Sequence, residues 1–120
     1  MEKASCLIMS SGKLLLVRRM ESDEWDLPGG VVPSGEEPDA FAARATEEQT
    51  GIKVEILQQF NLYETLEDGK TVDEHVYEAV VNGESEPKAG EKIKKADWVK
   101  KTDLKENNSS ETLKQVLEEN

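Results

Sequence analysis

Gly30 stands six residues before Glu36, Glu36 stands eight before Arg44, and Arg44 stands four before Glu48. Paired with Gly29, the second glycine lets backbone come close to a ligand, and a carbonyl in such a turn can coordinate a cation. A hard divalent ion wants several oxygens, so the Gly29 carbonyl and the Glu48 carboxylate together would begin a site for phosphate chemistry, with Glu36 bracing Arg44. The same residues also fit a plainer arrangement. An arginine and a glutamate four apart on a helix form an ordinary surface ion pair worth a few tenths of a kcal/mol, and a glycine pair ahead of a helix is often just a turn.

Further polar and aromatic groups could serve such a site. Arg18 and Arg19 end an apolar run, and strand neighbours face opposite sides, so one of the two is placed to meet a phosphate. Trp25 beside the glycines and Tyr63 further on are candidate rings for a nucleobase, although aromatics at strand spacing more often fill a core. Glu91 follows Gly90 in a loop and reads equally as a solvated acid. Glu47 and Glu64 are poorer candidates. His75, the one histidine, reads as a packing or surface residue, and Cys6 as buried and inert.

These residues need elements to position them. Ala4–Met9 and Lys13–Arg18 read as strands around a turn at Ser10-Ser11-Gly12, followed by a polar loop over Met20–Trp25. Tight turns at Leu27-Pro28-Gly29-Gly30 and Pro33-Ser34-Gly35 lead to a helix over Pro38–Thr50, with proline in its first turn and Gly51 beyond its last. At about 100° per residue, Arg44, Glu47 and Glu48 share one sector, while Ala42 and Thr46, flanked by Ala43 and Thr50, face the sheet. Ile52–Leu66 supplies one or two strands, Glu67-Asp68-Gly69-Lys70 a hairpin turn, and Thr71–Val81 and Ile93–Val99 further strands. Asn107–Ser110 caps a last helix carrying Leu113, Val116 and Leu117 on one stripe. Strands, a helix, more strands and a helix pack naturally as a mixed sheet covered by helices.

Composition narrows the function. The chain has 120 residues, 26 acids against 15 lysines and arginines, and a formal charge of −11. Double-stranded nucleic acid is excluded as a partner because no net positive field collects its phosphates. A small phosphorylated ligand stays open where a cation or a local arginine pair offsets the repulsion. No apolar run reaches the ~20 residues of a membrane span, and the first residues read as a strand and not a signal peptide. A single cysteine fits a reducing cytoplasm.

The spacing from Gly30 to Ile52 resembles the signature of the Nudix hydrolases: G, five residues, E, seven residues, then R-E-U-x-E-E-x-G-U, with U a bulky aliphatic. Gly30, Glu36, Arg44, Glu48, Gly51 and Ile52 fall at the fixed places, and Trp25–Gly30 and Pro33–Glu36 resemble the usual flanks. The resemblance extends to essentially the whole chain and implies an α+β fold: one Nudix-like domain over residues 1–120, an α/β/α sandwich of mixed β-sheet flanked by helices. It implies a metal-dependent hydrolase of a pyrophosphate linkage in a nucleoside diphosphate derivative or nucleoside triphosphate. Catalytic roles then fall to Glu48, Arg44 and Glu91. Mg²⁺ or Mn²⁺, weakly bound, would take Gly29, Glu48, Gln49 and Glu91. Ligand contacts fall to Arg18, Arg19, Trp25, Gly30 and Tyr63, in a monomer or homodimer. The departures are Ala45 and Gln49 where the family has glutamates, and Thr46 where it has an aliphatic. Ala45 can neither ligate nor accept a proton, and Gln49 offers only a neutral oxygen. The expectation is therefore impaired hydrolysis, with an inactive nucleotide-binding or protein-interaction module of the same fold as the alternative.

Overall fold

A computed structural model describes residues 1–119. The strands are β1 (Glu2–Leu7), β2 (Met9–Ser10), β3 (Lys13–Arg19), β4 (Gly29–Val31), β5 (Val54–Glu67), β6 (Lys70–Val81) and β7 (Ile93–Lys100). Helix α1 (Pro38–Thr50) lies between β4 and β5, and α2 (Glu111–Glu119) follows two short 3₁₀ turns at Lys101–Asp103 and Glu106–Asn108. One sheet has the order β4-β1-β6-β5 and is mixed, since β1 runs antiparallel to β4 and parallel to β6. The other, β2-β3-β7, is antiparallel. This is the α+β sandwich of mixed sheet and helices expected from the sequence.

The leucine run explains how the layers meet. Leu14, Leu15, Leu16 and Val17 are all fully buried, so β3 has no solvent face. Successive side chains of a strand point to opposite sides. Leu14 and Leu16 accordingly join Trp25, Leu27, Val76, Leu113 and Val116 beneath α2. Leu15 joins Ala4, Cys6, Phe41, Ala42, Ala45 and Ile52 beneath α1. One strand thus serves two cores.

Helix α1 starts at Pro38 and ends where Gly51 adopts the left-handed conformation (φ 75°), donating its N–H to the Glu47 carbonyl at 2.8 Å. Its buried face is Phe41, Ala42, Ala45, Thr46 and Thr50. The sector is wider than the helical wheel indicated, taking in Phe41 and Ala45 while Ala43 stays half-buried. The buried threonines leave nothing unpaired: Thr46 Oγ1 donates to the Ala42 carbonyl at 2.8 Å and Thr50 Oγ1 to that of Thr46 at 2.6 Å.

Ile52–Leu66 forms one strand, not two. β5 runs through two register irregularities and turns back at Asp68-Gly69, both with positive φ (52° and 76°), into β6. The loop that follows β6 closes over the end of α1. Lys88 N–H donates to the Thr50 carbonyl at 2.7 Å and Gly90 N–H to that of Gln49 at 3.0 Å, satisfying carbonyls the helix leaves open. Ser110 caps α2, its Oγ accepting the Leu113 N–H at 3.2 Å. Among the described residues no helix is long and apolar enough to cross a membrane.

A side chain on Gly90 would collide with the Glu48 carbonyl oxygen. Backbone cannot swing aside as a flexible side chain can, so Gly90→Ala should cost about 1–3 kcal/mol in denaturant unfolding with an unchanged slope. Wild-type stability in that variant would show that the loop is not clamped to the helix.

Candidate functional site

The glycine bend is fixed from three sides. Val17 and Asp26 exchange backbone hydrogen bonds of 2.9 Å, and Cys6 N–H donates to the Pro28 carbonyl at 3.0 Å. Gly29 then pairs with Ser5 of β1 so closely that an added Cβ would overlap the Ala4 carbonyl oxygen. Its φ of 149° is also a conformation that side chains disfavour. The bend therefore requires glycine at position 29.

Two side chains engage the Gly29 peptide groups. Gln49 Nε2 donates to the Gly29 carbonyl at 2.8 Å, and Gln49 Oε1 accepts the Gly29 N–H at 3.1 Å. Arg19 Nη2 donates to the same carbonyl at 3.0 Å, while its Nη1 meets Asp26 Oδ2 at 2.8 Å. Asp26 Oδ1 in turn accepts Ser110 Oγ at 2.6 Å and the Leu27 N–H at 2.8 Å. A continuous polar chain thus links α1, the bend, β3 and the start of α2.

On the outer face of α1, Arg44 makes a forked contact with Glu36, Nη2 to Oε1 at 2.7 Å and Nε to Oε2 at 3.2 Å. Its Nη1 lies 3.2 Å from both Glu48 oxygens. The hydrogen bond Arg44 donates to Glu36, with the charges of both glutamates, pushes the already high Arg44 pKa further up. Arg19, Glu48, Gln49, Glu91, Lys92 and Ile93 line one cleft of about 690 Å³. Gly90 pressed against Glu48 is what brings Glu91 there. A smaller cavity, about 260 Å³, adjoins the bend and is lined by Arg19, Gly29, Gly30, Asp26 and Glu74 among others.

The expected cation set does not fit a resident Mg²⁺ or Mn²⁺. A carbonyl oxygen has two lone pairs, and at Gly29 Arg19 and Gln49 take both. Gln49 uses both ends of its amide on that residue, which leaves only Glu48 and Glu91 as carboxylates lining the cleft. Among the described residues no group of three histidine, cysteine or acidic side chains could hold a metal ion. Ala45 is 2% exposed in the apolar cluster with Cys6 and Phe41, and its methyl supplies no oxygen to a cation.

Of the other candidates, Arg18 and Trp25 leave the site together. The Arg18 guanidinium stacks on the Trp25 ring at 4.3 Å, with Lys95 at 5.9 Å, and Trp25 is buried in the core beneath α2. Tyr63 is buried in the same core, its hydroxyl donating to Glu119 Oε2 at 2.8 Å. Burial and that carboxylate push its pKa up to about 12. Cys6 is buried and its thiol is pushed by burial up to about 11. His75 Nε2 lies 2.8 Å from Glu2 on the sheet surface.

Sequence reasoning passed over two acids. Asp26 anchors Arg19, and Glu74 is a carboxyl only 8% exposed, accepting Ser5 Oγ and Thr112 Oγ1 at 2.9 Å each. A polar residue at an inward position between Val72 and Val76 was the available signal. Burial, then the nearby Asp26 charge, raise the Glu74 pKa above the usual carboxylate range, against the pull of Thr112, Ser5 and Lys3. Native protein then binds this proton more tightly than unfolded chain, so the contribution is favourable at low pH and is lost as pH rises through the folded-state value. The melting temperature of wild type relative to Glu74→Gln should accordingly fall as pH climbs out of the carboxylate range, then level off. A pH-independent difference would remove Glu74 as the titrating group.

A model of the NUDIX domain matches residues 2–119. A MutT-like protein of Streptomyces ambofaciens is 38% identical over 60 residues, which is 50% of this chain and 39% of that relative. A putative 8-oxo-dGTP diphosphatase of Bacillus subtilis is 34% identical over 58 residues, 48% of this chain and 39% of that protein. The matches thus span about two-fifths of the length of these curated relatives. The crystal structure of a MutT NUDIX hydrolase from Burkholderia pseudomallei superposes with a TM-score of 0.85 at 26% identity, covering 98% of this chain and 95% of that one. With the glycine bend, the Arg44–Glu48 helix and the two-sided β3 core in place across that span, the chain belongs to the Nudix hydrolase family.

Proposed function

We propose that this Nudix domain binds a nucleoside triphosphate or nucleoside diphosphate derivative in the cleft between the end of α1 and the start of β7, and hydrolyses it slowly. The observation that carries this reading is the composition of that cleft, where Glu48 and Glu91 stand with Arg19, Gln49 and Lys92. Arg19, steadied by Asp26, and Lys92 supply the positive charge that draws phosphate into an acidic protein. Glu48 and Glu91 are the carboxylates available to orient or deprotonate a water, and Arg44, braced by Glu36, fixes Glu48.

Slowness follows from charge. Attack of water on a pyrophosphate builds negative charge on phosphoryl oxygens, and enzymes meet it with cations or with several arginines and lysines. Here the cleft holds one guanidinium and one ammonium. Mg²⁺ or Mn²⁺, where it takes part, is weakly bound. The names of the MutT-like and 8-oxo-dGTP diphosphatase relatives make nucleoside triphosphates the first ligands to try. The second reading is a domain that binds nucleotide without turning it over, favoured by the absence of carboxylates at Ala45 and Gln49.

Calorimetry with a panel of nucleoside triphosphates and diphosphate derivatives, paired with phosphate-release assays in Mg²⁺ or Mn²⁺, tests this function. Binding with at most slow release is expected. Glu48→Gln should lower any release by about 10²-fold or more, and Glu91→Gln should weaken it less. Absence of binding across the panel would overturn the assignment, whereas binding without release selects the second reading.

A further inference from the structure

We propose that Gln49 and Arg19 together replace a cation at the glycine bend, so that this chain closes the bend by hydrogen bonding and needs no metal to do so. The amide of Gln49 matches the Gly29 peptide groups as one backbone strand matches another, giving an N–H to the carbonyl and an oxygen to the N–H. A carboxylate at position 49 would still accept the Gly29 N–H. Its second oxygen, however, would then face the Gly29 carbonyl at the 2.8 Å now spanned by the Gln49 N–H, with no hydrogen between them. Two oxygens in that position repel, and a cation between them is the usual remedy. Glutamine removes the need.

Arg19 completes the substitution. Its Nη2 takes the other lone pair of Gly29 and also reaches the Leu27 carbonyl at 3.4 Å. Its charge is met by Asp26, which Ser110 and Leu27 hold in turn, so the guanidinium is fixed from behind. A full positive charge and an amide dipole therefore converge on the oxygen that would otherwise face a divalent ion. The proposal shares with the function above the premise of a cation-poor cleft, yet it concerns the free protein and involves neither nucleotide nor turnover.

Thermal unfolding without nucleotide, in chelator and in millimolar Mg²⁺, tests it and leaves the functional reading untouched. Wild type should gain no more from Mg²⁺ than the general screening of an acidic protein gives. Gln49→Glu should melt about 4–8 °C lower in chelator, the effect of losing one of the two hydrogen bonds to the Gly29 carbonyl and facing it with a second oxygen, and Mg²⁺ should restore most of the loss. Gln49→Met carries the wild-type charge and should be lowered in both conditions. Any rise it shows with Mg²⁺ measures general screening and is subtracted. A wild-type melting temperature that rises with Mg²⁺ beyond that correction overturns the proposal, whether or not Gln49→Glu folds. So does a Gln49→Glu protein that melts like wild type in chelator.

Discussion

Everything at the site depends on the contact between Gly29 and β1. The backbone of the bend lies so close to Ala4 and Ser5 that no side chain fits at position 29. That approach turns the Gly29 carbonyl toward the end of α1 and the end of β3, where Gln49 and Arg19 meet it. A buried carbonyl without partners is costly. Packing at β1 and polar satisfaction at the bend are thus one constraint, and the small residues Ala42 and Ala45 on α1 express it from the other side by bringing the helix near the sheet.

The acidic half of the cleft comes from a separate contact. Gly90 packs against the Glu48 carbonyl, and the loop N–H groups close the α1 carbonyls, so Glu91 arrives beside Glu48 as a consequence of helix capping. Two long-range contacts, each made possible by a glycine, therefore assemble a cleft from β3, α1 and the segment leading into β7. The β3 run between two cores holds these parts in register.

Much of this was legible in the sequence. The helix bounds, the hairpin at Asp68-Gly69 and the bend itself follow from proline, glycine and apolar period. The rule that strand neighbours face opposite sides separated the arginines, and the structure shows which is which: Arg18 lies on Trp25, and Arg19 at the bend. Hydrogen-bond partners were not legible. Nothing in the spacing indicates that Gln49 turns back onto Gly29, because that depends on how far the bend is pressed onto β1. Asp26 and Glu74 were missed for a related reason, since each is defined by groups 84 and 69 residues away in sequence, Ser110 and Ser5. Trp25 and Tyr63 read as ambiguous rings, and burial decided them.

The two carboxylates missing from the family signature are lost in physically unlike ways. At position 49 an amide replaces a carboxylate of nearly the same shape on the polar side of the helix, and the exchange trades a cation for a hydrogen bond. At position 45 the side chain faces Cys6 and Phe41 in the apolar cluster, where alanine is 2% exposed. Position 45 lies one helical turn before Glu48 and Gln49, so the exchange takes an oxygen away beside the cleft and leaves a methyl in the apolar cluster. The loss at 45 removes a donor outright, whereas the loss at 49 keeps the shape of the side chain and puts a hydrogen bond where the charge stood.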